Sequence, residues 1–171
     1  MRVLGIDPGT QYLGLGLVER RGAGYAHLGH FLLHPRERGG LPARLAYLFD
    51  GVTEVIAAHR PEAVAVEGVF HARNARSAII LAHARGVALL CAARAGLEVF
   101  EYAPASVKRA VGASGVAPKE AVARMVCALL RLDAVERADC ADALAVAICH
   151  LHHAPPRLQA PPGGYRIERR S

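Results

Sequence analysis

Four acidic residues of this chain fall where carboxylates do chemistry rather than solvate a surface. Asp7 closes the apolar run Val3-Leu4-Gly5-Ile6 and is followed at once by Pro8-Gly9. Such a run reads as a buried strand broken by a tight turn, so Asp7 stands at the C-terminal end of a core strand. Glu67 closes a second apolar run, Ala63-Val64-Ala65-Val66. Asp139 and Asp142 lie near the start of the last apolar-periodic segment, in Arg137-Ala138-Asp139-Cys140-Ala141-Asp142. Their i, i+3 spacing puts both on one helix face. Taken singly, Asp7 reads as a turn cap, and the other two as acids complementing a helix dipole. Taken together, four carboxylates at one sheet end repel each other and call for cations. Hard oxygen donors suit Mg²⁺ or Mn²⁺. Two such ions suit in-line hydrolysis of a phosphodiester.

The elements that must gather these groups follow from the hydrophobic pattern. Residues 2–7, 13–18 and 25–33 read as three strands joined by turns, hence an antiparallel meander. The glycines of Leu13-Gly14-Leu15-Gly16-Leu17 mark close backbone approach. The period then becomes helical over 41–59, with Leu45, Leu48, Phe49, Val52, Val55 and Ile56 on one face and Pro61 after its end. Strand 63–67 follows, then a loop over 68–76, a helix over 77–95 and a short strand over 97–100. Helices at 104–111, 118–132 and 137–153 complete the order βββαβαβααα. This predicts an α/β fold: a mixed five-stranded sheet, three antiparallel strands then parallel ones, flanked by helices on both faces. The helical crossover makes the Asp7 and Glu67 strands parallel, so both acids face the same sheet end. Residues 1–153 form the domain. Residues 154–171, rich in Pro and Arg, read as a disordered basic tail.

Charge narrows the partner. The formal net charge is +6, and of 21 basic residues 19 are Arg and only Lys108 and Lys119 are Lys. A basic chain suits a polyanion. Lys119 follows Pro118 at a helix start, where a cation opposes the dipole. Lys108 sits on the short helix after the fifth strand. The loop Phe70-His71-Ala72-Arg73-Asn74-Ala75-Arg76, directly after Glu67, interleaves an aromatic with cations, as unstacked bases and phosphates require. Phe70 also fits as a core residue beneath that loop. Four cysteines without CxxC spacing read as core residues of a reducing cytosol. No stretch reads as a signal peptide or membrane span, so the expected location is the cytoplasm. Cys149, His150, His152 and His153 scatter around a helix and do not converge as a zinc site.

These residues, in order, resemble one family. Gly5-Ile6-Asp7-Pro8-Gly9, Ala65-Val66-Glu67 with Val69-Phe70, Asn74 and Ser77, Ala84-Arg85-Gly86, Lys108, Lys119 and Ala138-Asp139-Cys140-Ala141-Asp142-Ala143-Leu144-Ala145 look like RuvC, the bacterial Holliday-junction resolvases. The resemblance runs over about residues 1–153 and does not reach the tail. It implies an RNase H-like fold and a homodimer acting on a four-way DNA junction. It implies paired hydrolysis that leaves 5′-phosphate and 3′-hydroxyl ends. Asp7, Glu67, Asp139 and Asp142 match the family's metal-binding catalytic acids, holding two ions of Mg²⁺ or Mn²⁺. The Asp139 position is His in some relatives. Lys108 and Lys119 match basic residues near the scissile phosphate, and Phe70 matches the aromatic that disturbs stacking. Phe70, Arg73, Asn74 and Arg76, with both lysines, are the expected DNA contacts. The branch-migration proteins RuvA and RuvB are partners implied by the resemblance alone.

Two other readings compete. Gly-Ile-Asp-x-Gly-Thr also opens actin-like sugar kinases and chaperone ATPases, but those need a second phosphate loop and a longer chain. A non-catalytic nucleic-acid-binding module would use the basic surface, but leaves four acids without a purpose.

The helix from Ser77 is apolar nearly all round: Ile79, Ile80, Leu81, Val87, Leu89 and Leu90. It must be covered on more than one face. Ala78, Ala82 and Gly86 form a strip suited to close helix approach. Either the sheet and a second copy of the chain cover it, or one subunit encloses it.

Overall fold

The computed structural model describes residues 1–35, 40–68 and 75–154, with the side chains of 75–77 outside that description. The elements run β1 (Arg2–Asp7), β2 (Leu13–Arg21), β3 (Gly24–Leu33), α1 (Gly40–His59), β4 (Ala63–Glu67), α2 (Ala75–Arg94), β5 (Glu98–Tyr102), α3 (Pro104–Ala110), α4 (Lys119–Leu130) and α5 (Ala138–His153). Strand order is β3-β2-β1-β4-β5. β1 pairs antiparallel with β2 and β2 with β3, while β1–β4 and β4–β5 are parallel. The expected mixed sheet is therefore the sheet observed. β2 continues through Glu19-Arg20-Arg21, where a stop was expected; Glu19 and Arg21 are held there by an ion pair of 3.1 Å.

Strand alternation sorts the core into two layers. Leu4, Ile6, Val64 and Val66 point to one face and pack with Leu48 and Val52 of α1 and Ala84 and Ala88 of α2. Val3 and Ala65 point to the other and pack with Val107 of α3, Val122 and Val126 of α4, and Leu144 and Ile148 of α5. By the same alternation, Gly5 and Asp7, and likewise Glu67, belong to the α5 face.

α5 lies unusually close to that face. A side chain at Gly5 would collide with the Ala143 carbonyl, and one at Gly14 with the Asp139 carbonyl. Both collisions are with helix backbone, which cannot swing aside. The glycines therefore let α5 settle directly on β1 and β2, and that contact delivers Asp139 and Asp142 to the end of β1.

α2 keeps Ala82 and Gly86 of the expected strip clear of its own subunit's core. Its buried residues are Ala84, Ala88, Cys91 and Ala92, whereas Ala82 and Gly86 are exposed. Ile79 and Leu90 are also exposed, at 59% and 51%. The helix thus lays one small-residue face on its own core and turns a second apolar face outward.

Candidate active site

Asp7, the last residue of β1, pairs in register with Gly14 at the start of β2. β4 runs parallel beside β1 and ends in Glu67. The first turns of α5 bring Asp139 and Asp142 over the same end. The charges of Asp142, Glu67 and Asp139 all reach Asp7, and that of Asp142 also reaches Glu67. Asp7 has its pKa pushed up to about 7, first by burial, then by the negative charge of Asp142, with smaller contributions from Glu67 and Asp139; Lys119 opposes them. Glu67 is also raised, by burial and then by Asp142, while Lys119 and Lys108 lower it. A carboxyl group in such surroundings is short of positive charge.

Lys119 supplies part of it. Its Nζ donates to Asp142 Oδ2 at 2.6 Å, and this bond chiefly raises the lysine pKa. The lysine opens α4 after the N-cap Pro118, so its cost against the helix dipole is offset by a carboxylate from α5. Lys108, in the last turn of α3, instead donates from Nζ to the Ala117 carbonyl at 2.6 Å. That bond anchors the 111–118 connection, while the ammonium stays within electrostatic reach of Glu67. Asp139 has a looser cation, Arg137 Nη2, at 3.7 Å. The Asp7 carboxyl makes no hydrogen bond or ion pair among the described residues.

Arg85 is a member of the site's frame whose contacts the sequence did not predict. Its Nη1 donates to the Glu67 carbonyl at 2.8 Å, and its Nη2 pairs with Glu101 on β5. Gly68 N donates to the Tyr102 carbonyl at 2.8 Å. The end of β4 is thus fixed from α2 and from β5. An arginine inside an apolar helix was the available signal, but its partner lies 18 residues back.

By donor chemistry the four acids fit a hard divalent cation, and the raised pKa of Asp7 marks the deficit such an ion would fill. Among the described residues, no three carboxylate, imidazole or thiol groups close into a ready-made cage. Asp142 is turned to Lys119 instead. Phe70, Arg73 and Asn74, and the side chain of Arg76, lie outside the described residues, as does the tail from 155 onward. Cys149 and His153 meet each other at 3.6 Å, while His150 is taken up by Tyr102 at 2.7 Å.

The model of the family "Crossover junction endodeoxyribonuclease RuvC" matches residues 3–150. This chain belongs to the RuvC family. A RuvC of Myxococcus xanthus is 57% identical over 155 residues, spanning 90% of this chain and 81% of the relative. A RuvC of Halorhodospira halophila is 48% identical, spanning 96% and 98%. Among solved structures, the Thermus thermophilus RuvC in complex with Holliday junction substrate superposes with a TM-score of 0.82 at 37% identity, covering 90% of this chain and 94% of that one. The yeast mitochondrial Holliday junction resolvase Ydc2 shares the fold at 16% identity, with a TM-score of 0.64. The RuvC match thus reaches into all ten elements and contains all four acids. Among the described residues, no helix is long and apolar enough to cross a membrane.

Proposed function

We propose that this chain is a structure-selective endonuclease that resolves four-way DNA junctions by paired hydrolysis of two strands. The observation that carries the reading is the meeting of Asp7, Glu67 and Asp142 beside Lys119 at one sheet end, in a member of the RuvC family. Asp7, Glu67, Asp139 and Asp142 would hold the divalent ions, Mg²⁺ or Mn²⁺, two to a site. Such ions, when bound, acidify the attacking water and balance charge on the phosphate. Asp7, raised by burial and by neighbouring acids, would be the central ligand, and Glu67, fixed through its carbonyl by Arg85, would help position the metal.

Water adds to phosphorus, the bond to the 3′ oxygen breaks, and that oxygen takes up a proton. The products are 5′-phosphate and 3′-hydroxyl ends. Lys119 would release Asp142 and face the phosphate, where its charge offsets charge developing on oxygen. Lys108 supports it from α3, and the cations of the 70–76 loop hold the strand.

A second copy of the chain docks on the outward face of α2, through Ile79, Ala82, Gly86 and Leu90. A two-fold pair presents two equivalent sites to two equivalent strands. The enzyme works in the cytoplasm, with RuvA and RuvB as its branch-migration partners.

The test is cleavage of a strand-labelled four-way junction, set against linear duplex and RNA–DNA hybrid, with Mg²⁺ or Mn²⁺. Symmetric cuts in the junction alone support the proposal. Binding without cutting under every metal condition would make the chain a non-catalytic binding module. Equal cutting of the hybrid would assign it a different substrate.

A further inference from the structure

The β1–β2 loop and the start of α5 build a stack beside the acids that the reaction leaves unused. The guanidinium carbon of Arg137 lies 4.3 Å from the centroid of the Tyr12 ring. The His34 ring lies 4.4 Å from the Tyr12 ring, tilted by 31°. Arg137 is the N-cap of α5, two residues before Asp139, and its side chain is 45% exposed. Tyr12 follows the turn that leaves Asp7, and His34 follows β3. Three separate segments therefore converge on one edge of the acid cluster.

The chemistry of this contact is specific. Stacking holds the plane of a guanidinium without consuming its N–H donors. Among the described residues, the Arg137 guanidinium has one polar partner, Asp139, and the 3.7 Å approach is too long for a hydrogen bond. A preoriented, half-exposed guanidinium with unspent donors matches the oxygens of a phosphodiester. Asp139 does not discharge this role, because its approach leaves the guanidinium edge open. Lys119 and Lys108 flank the acids from α4 and α3, whereas Arg137 flanks them from the β1–β2 side. A strand lying across the acids would be gripped at two points.

We infer that Arg137, held by Tyr12 and His34, is a binding site for a DNA backbone phosphate next to the one that is cut. This rests on the proposed function and adds a contact to it.

The test is junction binding by the full chain in EDTA, where no cutting occurs, measured from low to moderate salt. Each phosphate contact adds about 0.9 to the slope of log affinity against log salt. Arg137→Ala should weaken binding several-fold and lower the slope by about 1. Tyr12→Ala should do part of this, and adding it to Arg137→Ala should do little more, because the two residues act as one unit. Arg20→Ala removes the same charge from the far end of β2 and should leave the slope unchanged. If Arg137→Ala and Arg20→Ala behave alike, or if Arg137→Ala and Tyr12→Ala add fully, the site is overturned. If the wild-type chain binds no junction, the proposed function itself fails, and this contact with it.

Discussion

Lys119 and Asp142 stand 2.6 Å apart, joined across 23 positions of sequence, with α4 supplying the cation and α5 the acid. This pair offsets the charge of Asp142, while burial and the neighbouring acids keep the pKa values of Asp7 and Glu67 raised. The site is thus stressed by its own charge, and the predictions follow from how that stress is relieved.

Asp7→Asn, Glu67→Gln, Asp139→Asn and Asp142→Asn should each lower the cleavage rate by on the order of 100-fold or more, the scale of a principal electrostatic contributor. Junction affinity should persist or improve in EDTA, since a negative charge facing phosphate is removed. Gel-shift and single-turnover assays on the same preparations separate the two. A variant cutting at the wild-type rate removes that residue from the site.

Asp7 links stability to pH. Its folded pKa of about 7 lies above the ordinary value of 3.8, so the folded state binds the proton more tightly. That contribution is fully present below about 4 and is lost as pH rises to about 7. Asp7→Asn escapes the loss. The variant should therefore melt increasingly above wild type as pH rises through this window, by on the order of a few kcal/mol at most. Mn²⁺ at pH 7.5 should then raise the wild-type melting temperature and leave the variant's nearly fixed. A difference that stays constant between pH 4 and 8 would contradict the assignment.

Lys119→Ala frees Asp142 for metal but removes charge facing the phosphate. Mn²⁺ should bind this variant more tightly, as read by calorimetry, while the saturated cleavage rate falls by roughly 10- to 100-fold. Lys108→Ala should show the rate defect without tighter metal binding, because Lys108 bonds a carbonyl and not an acid. Weaker Mn²⁺ binding in Lys119→Ala would make the lysine a support for the acids rather than their competitor.

Gly86→Glu tests the outward face of α2. A side chain there meets open space, so the subunit should fold as before. A charge set into a close helix contact has no partner, and sedimentation should show monomers where wild type shows dimers. Unchanged association would move the subunit contact to another face.

Much of this was legible before folding, for identifiable reasons. Asp7 and Glu67 each end a run of buried residues, and a helical crossover forces such strands parallel. The i, i+3 spacing of Asp139 and Asp142 needed only a helix. Gly14 and Gly16, set between leucines, signalled close approach, and α5 is what approaches. Lys119 stood out because a lysine at a helix start is poorly placed unless something answers it; Asp142 does. Contacts between distant segments were not legible. The Tyr12–Arg137 stack joins positions 125 residues apart through an unremarkable Tyr and one Arg among 19. The core side of α2 was not legible either, because a helix apolar all round gives no periodicity by which to choose it; the sheet selected Ala84 and Ala88.

The most direct test follows both labelled strands of a four-way junction, with wild type and Asp7→Asn, in EDTA and then in Mg²⁺. The account predicts symmetric paired cuts, with 5′-phosphate ends, by wild type in Mg²⁺ only. It predicts bound but intact junction in the other three conditions. Cutting by wild type in EDTA, or by Asp7→Asn in Mg²⁺ at the wild-type rate, would contradict it.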